Sequence, residues 1–193
     1  MFFRSRQNSP SVAEDDSAES TAVARRLAIA DAHVIGFLPA TERAAIVLSP
    51  FLKEWAARMT NFVTGEIGII ESWGSWNGQA GGDVRAHPDR PGVISLVPPA
   101  CSDAATAIPA LEDTVSRHRE GCSRILVDLG RYAPPGQLPG TVDIVDGVVF
   151  AVLAGRTRRS RLVRLLEHLD ARKKLGAILI EGIFSPGRSS SRT

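Results

Sequence analysis

The sequence predicts a doubly wound α/β fold, with a mainly parallel sheet flanked by helices. Short apolar runs recur without polar alternation, as in Gly147-Val-Val-Phe-Ala-Val-Leu153. Strands written this way are buried on both faces, which is the condition of a parallel sheet covered by helices. Between these runs lie stretches with helical apolar spacing, and alternation of the two patterns is the signature of βαβ units. At 193 residues and 44% hydrophobic content, the chain is long enough for one domain with a sizeable core.

The elements follow in order. Gln7 to about Ser20 is rich in Ser, Glu and Asp with almost no large apolar residues, so residues 1–24 are expected to form a disordered tail. The domain proper is expected over 25–184. Val34–Leu38 reads as a strand and Ala44–Phe62 as mostly helix. Pro50 either kinks that helix or moves its start to Ser49, with serine as N-cap and proline in the first turn. Glu66–Ile70 is the next strand. Ser72 to Pro91 is a loop loaded with glycine, and it carries Trp73 and Trp76.

Gly92–Val97 reads as a strand, and a helix follows from about Ser102 to Arg119. Arg124–Asp128 is a strand and Arg131–Gly140 a Pro/Gly-rich loop. Gly147–Leu153 is a strand, Arg158–Lys173 a periodic helix and Gly176–Ile180 the last strand. Ser-rich residues 185–193 read as a second tail.

Composition narrows the function. Basic and acidic residues nearly balance at 23 and 21, for a net charge of +2, so bulk charge does not imply nucleic acid. Cys101 and Cys122 stand in a chain without a signal-peptide pattern, which favours free thiols in a reducing cytosol. No apolar run approaches the roughly 20 residues of a membrane-spanning helix. A cytoplasmic location, at most peripheral to the inner membrane, is the expectation. The four histidines are scattered, and no spacing suits a metal.

The order and content of these segments resemble the MinD/ParA group of P-loop ATPases, and within it the cytoplasmic domain of bacterial polysaccharide-export tyrosine kinases. Gly92-Val-Ile-Ser-Leu-Val-Pro-Pro99 is similar to a family strand ending in a proline-rich turn. Arg124-Ile-Leu-Val-Asp-Leu-Gly130 resembles the Walker B strand, and Asp146-Gly-Val-Val-Phe-Ala-Val152 the family's aspartate-glycine strand. The resemblance implies a P-loop NTPase-like fold over about Ala32 to Gly182.

The catalytic half departs from that pattern. A phosphate-binding loop works through glycine amides, a lysine and a magnesium-holding hydroxyl. Pro39-Ala-Thr-Glu-Arg-Ala-Ala-Ile-Val-Leu48 has no glycine and no lysine, and Ile46, Val47 and Leu48 lie about where Lys-Ser/Thr-Thr would fall. Thr41 is its only hydroxyl and Arg43 its only cation. Glu42 brings a carboxylate to a helix N-terminus, where a phosphate would bind, and repels it. Glu71 and Trp73 stand where the family carries Asp-x-Asp, leaving Asp128 as the one metal-side carboxylate. Asp128 is also a common turn former at the end of a strand.

Two further groups are candidates for interaction. Trp73 and Trp76 in a glycine-rich loop suit binding anchors or packing over the sheet edge. Arg156, Arg158, Arg159, Arg161 and Arg164 crowd a loop and the helix start after it, where cations oppose the macrodipole. They suit an acidic partner, phosphate or nucleic acid, or simply a solvated face. The family's tyrosine kinases carry a C-terminal tyrosine cluster, whereas the sole tyrosine here is Tyr132.

The expected function is therefore a non-catalytic pseudo-ATPase without a cofactor or metal. It would act as a scaffold or regulatory subunit of a bacterial membrane-associated assembly. The resemblance implies exopolysaccharide or cellulose synthesis as the setting. It also implies a protein partner, an active paralogue or a membrane-bound subunit, in a homo- or hetero-dimer. The alternatives are an unorthodox ATP-binding enzyme using Arg43, Glu71 and Asp128, and a chromosome or cell-pole positioning factor built on the arginines.

Overall fold

The computed structural model describes residues 2–6, 13–72, 84–87, 89–101, 103–130, 132, 138–167 and 169–181. Eight strands form one sheet: β1 (Phe2–Arg6), β2 (Val34–Pro39), β3 (Glu66–Ile70), β4 (Val84–Ala86), β5 (Val93–Leu96), β6 (Cys122–Asp128), β7 (Gly147–Leu153) and β8 (Lys174–Glu181). Their spatial order is β1-β8-β7-β2-β6-β3-β5-β4. All neighbours are parallel except β4 and β5. The helices are α1 (Ala13–Ile29), α2 (Glu42–Met59), α3 (Ala104–His118), α4 (Leu138–Asp143) and α5 (Arg159–Glu167), followed by a 3₁₀ turn over Ala171–Lys173. The doubly wound α/β architecture is the one that the continuous apolar strands predict.

Alternate residues of each buried strand feed two cores. On one face Ile35 and Phe37 of β2, Ile67 and Ile69 of β3 and Leu126 of β6 pack under α1 and α2. Trp55 of α2 stacks on Phe37 and on Phe51, with ring centroids 5.6 and 5.5 Å apart. On the other face Val34, Leu38, Ile125, Val127, Val148 and Phe150 meet Ala107, Leu111 and Val115 of α3. This two-sided burial is why the strands carry apolar residues at every position.

The structure corrects four sequence expectations and decides one that was open. The disordered tail over residues 1–24 is replaced by β1 and by most of α1. Ser20, Val23, Ala24, Leu27 and Ala28 form a buried stripe against α2, and their small side chains allow close packing. β1 pairs with the outer edge of β8, whose backbone groups would otherwise lack a ladder partner. Pro50 is the open one. α2 runs through it from Glu42, capped by Thr41 rather than by Ser49. Pro50 cannot donate to the Ile46 carbonyl, and both residues are on the exposed side of the helix.

Thirdly, β4 lies inside the stretch expected as a loop, held by pairing of Val84–Ala86 with Leu96–Ile94. All its residues are exposed, so it has no apolar signal. Fourthly, α4 begins inside the expected Arg131–Gly140 loop. Fifthly, the helix expected over Arg158–Lys173 stops at Glu167. Leu169 is drawn into the core, and Asp170 caps the 3₁₀ turn by accepting from the Arg172 amide at 2.9 Å. The C-terminal tail over 185–193 lies outside the described residues.

Candidate functional site

The turn between β2 and α2 stands at the carboxyl end of the central strand, where open α/β sheets bind ligands. It is short. β2 ends at Pro39 and α2 begins at Glu42, so only Ala40 and Thr41 lie between them. The buried Ala40 amide donates to the Ala151 carbonyl at 2.9 Å, which extends the β2–β7 ladder to the end of the turn. Thr41 is the N-cap, its hydroxyl accepting from the Ala44 amide at 3.1 Å. Glu42 and Arg43 follow on the exposed first turn of α2. Ile46 to Leu48 are therefore well inside the helix, and Leu48 is fully buried.

Asp128 closes the neighbouring strand, opposite Phe37 in the register of β2 and β6. Its carboxylate is 1% exposed and accepts from the Gly130 amide at 2.8 Å, forming an Asx turn. That turn presses against the start of α2. A Cβ on Gly130 would lie 3.1 Å from Ala45 Cβ and 3.2 Å from Pro39 Cγ, so only glycine fits without displacement. Gly130 thus packs closely against Pro39 at the end of β2 and Ala45 of α2.

Glu71 follows β3, which pairs with β6 so that Ile70 stands opposite Val127. Its carboxylate is ion-paired with Lys53 Nζ and accepts from Ser49 Oγ at 3.2 Å. Ser49 and Lys53 are one helical turn apart on α2 and present one face to the end of β3. The buried Tyr132 donates its hydroxyl to the Glu71 carbonyl at 3.4 Å, and the Tyr132 carbonyl accepts from Thr141 Oγ1 at 2.9 Å. Thr41, Glu42 and Arg43 thus lie at the β2–α2 turn, Asp128 ends the neighbouring strand, and Glu71 follows the strand beyond it, tied to α2 by Lys53 and Ser49. Among the described residues, no three His, Cys, Asp or Glu side chains gather as a metal set.

Lys53, Ser49 and Tyr132 carry no motif, and the only sequence signal was the Ser49–Lys53 spacing of four. Arg156, Arg158, Arg159 and Arg161 are all exposed, on the turn after β7 and the start of α5. Gly155, at φ +66°, makes that turn, and Leu153 accepts from the Arg156 and Thr157 amides at 3.2 Å. The arginines share the carboxyl edge of the sheet with Thr41. Trp73, Trp76 and the rest of Gly74–Gly82 lie outside the described residues.

No protein-family model matches the chain, and no curated protein matches its sequence. Solved structures do match its fold. The chimerical protein CapA2B2 aligns with a TM-score of 0.69 at 11% identity, covering 92% of this chain and 92% of that one. The kinase domain of VpsO aligns at 0.63 and 17% identity, covering 89% and 97%. The kinase domain of the Escherichia coli tyrosine kinase ETK aligns at 0.62 and 12% identity, covering 96% and 86%. The chain thus shares its overall fold with these bacterial tyrosine kinase domains.

Proposed function

We propose that this chain is a pseudo-ATPase, a P-loop fold retained for its surface, serving as a scaffold or regulatory subunit in a membrane-associated bacterial assembly. The observation that carries the reading is the length of the β2–α2 turn. A phosphate loop of the form GxxxxGK[ST] needs a wide arc of glycine amides between strand and helix. Here Ala40 and Thr41 bridge the two elements, and the Ala40 and Ala44 amides are already engaged. Gly130 packs closely against Pro39 and Ala45 beside this turn. Glu42 adds a repelling carboxylate at the helix N-terminus.

Fold likeness to bacterial tyrosine kinase domains supports exopolysaccharide or cellulose synthesis and secretion as the setting. An active paralogue or a membrane-bound subunit is the partner that this setting supplies. The exposed arginines after β7 suit an acidic face on that partner. Isothermal titration with ATP and with ADP, each with magnesium, tests the first half of the proposal. No heat at millimolar nucleotide is expected, and saturable binding would overturn it. Affinity capture from native cells followed by mass spectrometry tests the second half. Recovery of polysaccharide-synthesis proteins is expected, and recovery of chromosome-partitioning proteins instead would sink it.

A further inference from the structure

The segment after β7 carries cations without carboxylates. Between Asp146 and Glu167 the chain has Arg156, Arg158, Arg159, Arg161 and Arg164 but no aspartate or glutamate. Arg164 is engaged, whereas the side chains of the other four are exposed and make no ion pair or hydrogen bond among the described residues. Arg158, Arg159 and Arg161 stand at the start of α5, whose first turn holds no acidic residue, so they oppose the positive pole of the helix. Arg158 and Arg161, three residues apart, add like-charge repulsion. The arrangement costs free energy in the isolated chain, and no carboxylate among the described residues offsets it.

Hydrocarbon lies behind these charges. α5 has no buried residue: Leu162, Leu165 and Leu166 lean on the core yet stay half-buried, and Val163 is 41% exposed. Arg159, Val163 and Leu166 are neighbours at spacings of four and three, so they form one stripe that starts with a charge and continues as hydrocarbon. An occupant of this stripe needs carboxylates at one end and apolar side chains beyond them. α5 is nine residues long, so a partner helix of about two and a half turns matches it. A lipid surface fits less well, because leucines that lean on the core are not available for insertion. Nor does the molecule as a whole draw in polyanions, since its net charge is only +2.

We propose that Arg156, Arg158, Arg159, Arg161 and the Val163 flank of α5 form a docking face for an acidic amphipathic helix of a partner protein. The face rests on the scaffold reading above and specifies the chemistry of the segment that the scaffold holds. Docking supplies the carboxylates that the start of α5 lacks and covers the open side of its leucine stripe. Charge sets orientation and the rate of encounter, and burial of Val163 and the leucine edges holds the complex.

Photo-cross-linking from this face in native cells tests the proposal. Val163→p-benzoylphenylalanine is placed in the full chain, and the cross-linked peptide is sequenced by mass spectrometry. One segment is expected, with apolar residues at helical spacing and Asp or Glu at one end of that stripe. A synthetic peptide of the segment should bind the parent chain saturably, and Arg158→Gln, Arg159→Gln and Arg161→Gln together should weaken it about tenfold. Added salt should weaken the parent more than the triple variant. Val163 and the three arginines are exposed, so parent-like thermal unfolding verifies that both variants fold. A cross-link to lipid, to nucleic acid or to a segment without carboxylates would overturn the docking face, as would no cross-link or equal affinity in the triple variant. The setting fails separately: an acidic segment from a protein outside polysaccharide synthesis removes the setting and keeps this face, and a neutral segment from a polysaccharide-synthesis protein does the reverse.

Discussion

Asp146 opens the β7 strand and ties three segments together at the end of the sheet opposite the closed turn. Its carboxylate accepts from the His33 and Val34 amides at 3.0 and 2.8 Å and from Arg119 at 2.7 and 2.8 Å. Burial alone would raise its pKa, but Arg119 and the two amides outweigh burial and hold it below the ordinary carboxylate value. Asp146→Asn is expected to cost about 1–3 kcal/mol, measured by urea denaturation at neutral pH. The folded pKa is depressed, so the contribution is complete above the unfolded value of about 3.9 and is lost as pH falls through the folded one. The stability gap between parent and variant should therefore close in acid. The Asp146-Gly147 pair was legible as a family segment, but its partners, 27 residues and more than 110 residues away, were not. Cys122 is simpler: burial, then Glu66, raises its thiol pKa, so it should resist alkylation until the protein unfolds.

At the scale of elements, α2 carries the clearest local conflict. Pro50 sits in its interior and forfeits the bond to the Ile46 carbonyl on the solvent face. Pro50→Ala should raise stability by ~2 kcal/mol, the helix gain less the entropy proline removes from the unfolded chain. A denaturant midpoint shifted the other way would mean that the ring packs usefully. Sequence patterns placed α2 correctly but left its start open, because both Thr41 and Ser49 are acceptable caps. Tertiary packing decided: Leu48 and Ala44 are buried, which requires helix from Glu42 onward. For α1 the apolar stripe was present, but Leu27 is its one large residue among Ser, Ala and Val, and it follows a polar stretch that resembles a solvated tail. Ala24 is fully buried against α2, so Ala24→Leu should overpack the interface and cost about 1–3 kcal/mol in the same assay.

For the whole molecule, the surface patches make separate predictions. Replacing Arg158, Arg159 and Arg161 together with alanine should change stability by no more than about 0.5 kcal/mol, since all three are exposed. The same variant should lose the captured partner in a salt-sensitive manner, and undiminished capture would dismiss the patch. By itself the sequence determined the α/β class, the buried strands from Val34 onward and the loss of glycines and lysine after the central strand. Those are local properties: which residues avoid water at which period, and which residue types are missing from a contiguous stretch. Only the tertiary structure decided that the β2–α2 turn is two residues long, with Gly130 packed against Pro39 and Ala45. It alone paired Glu71 with Lys53 and Ser49 of α2. Such groupings depend on strand order and register, and these follow from how helices and strands share two cores. Neighbours in a sheet are set by that global packing, which adjacency in the chain does not encode.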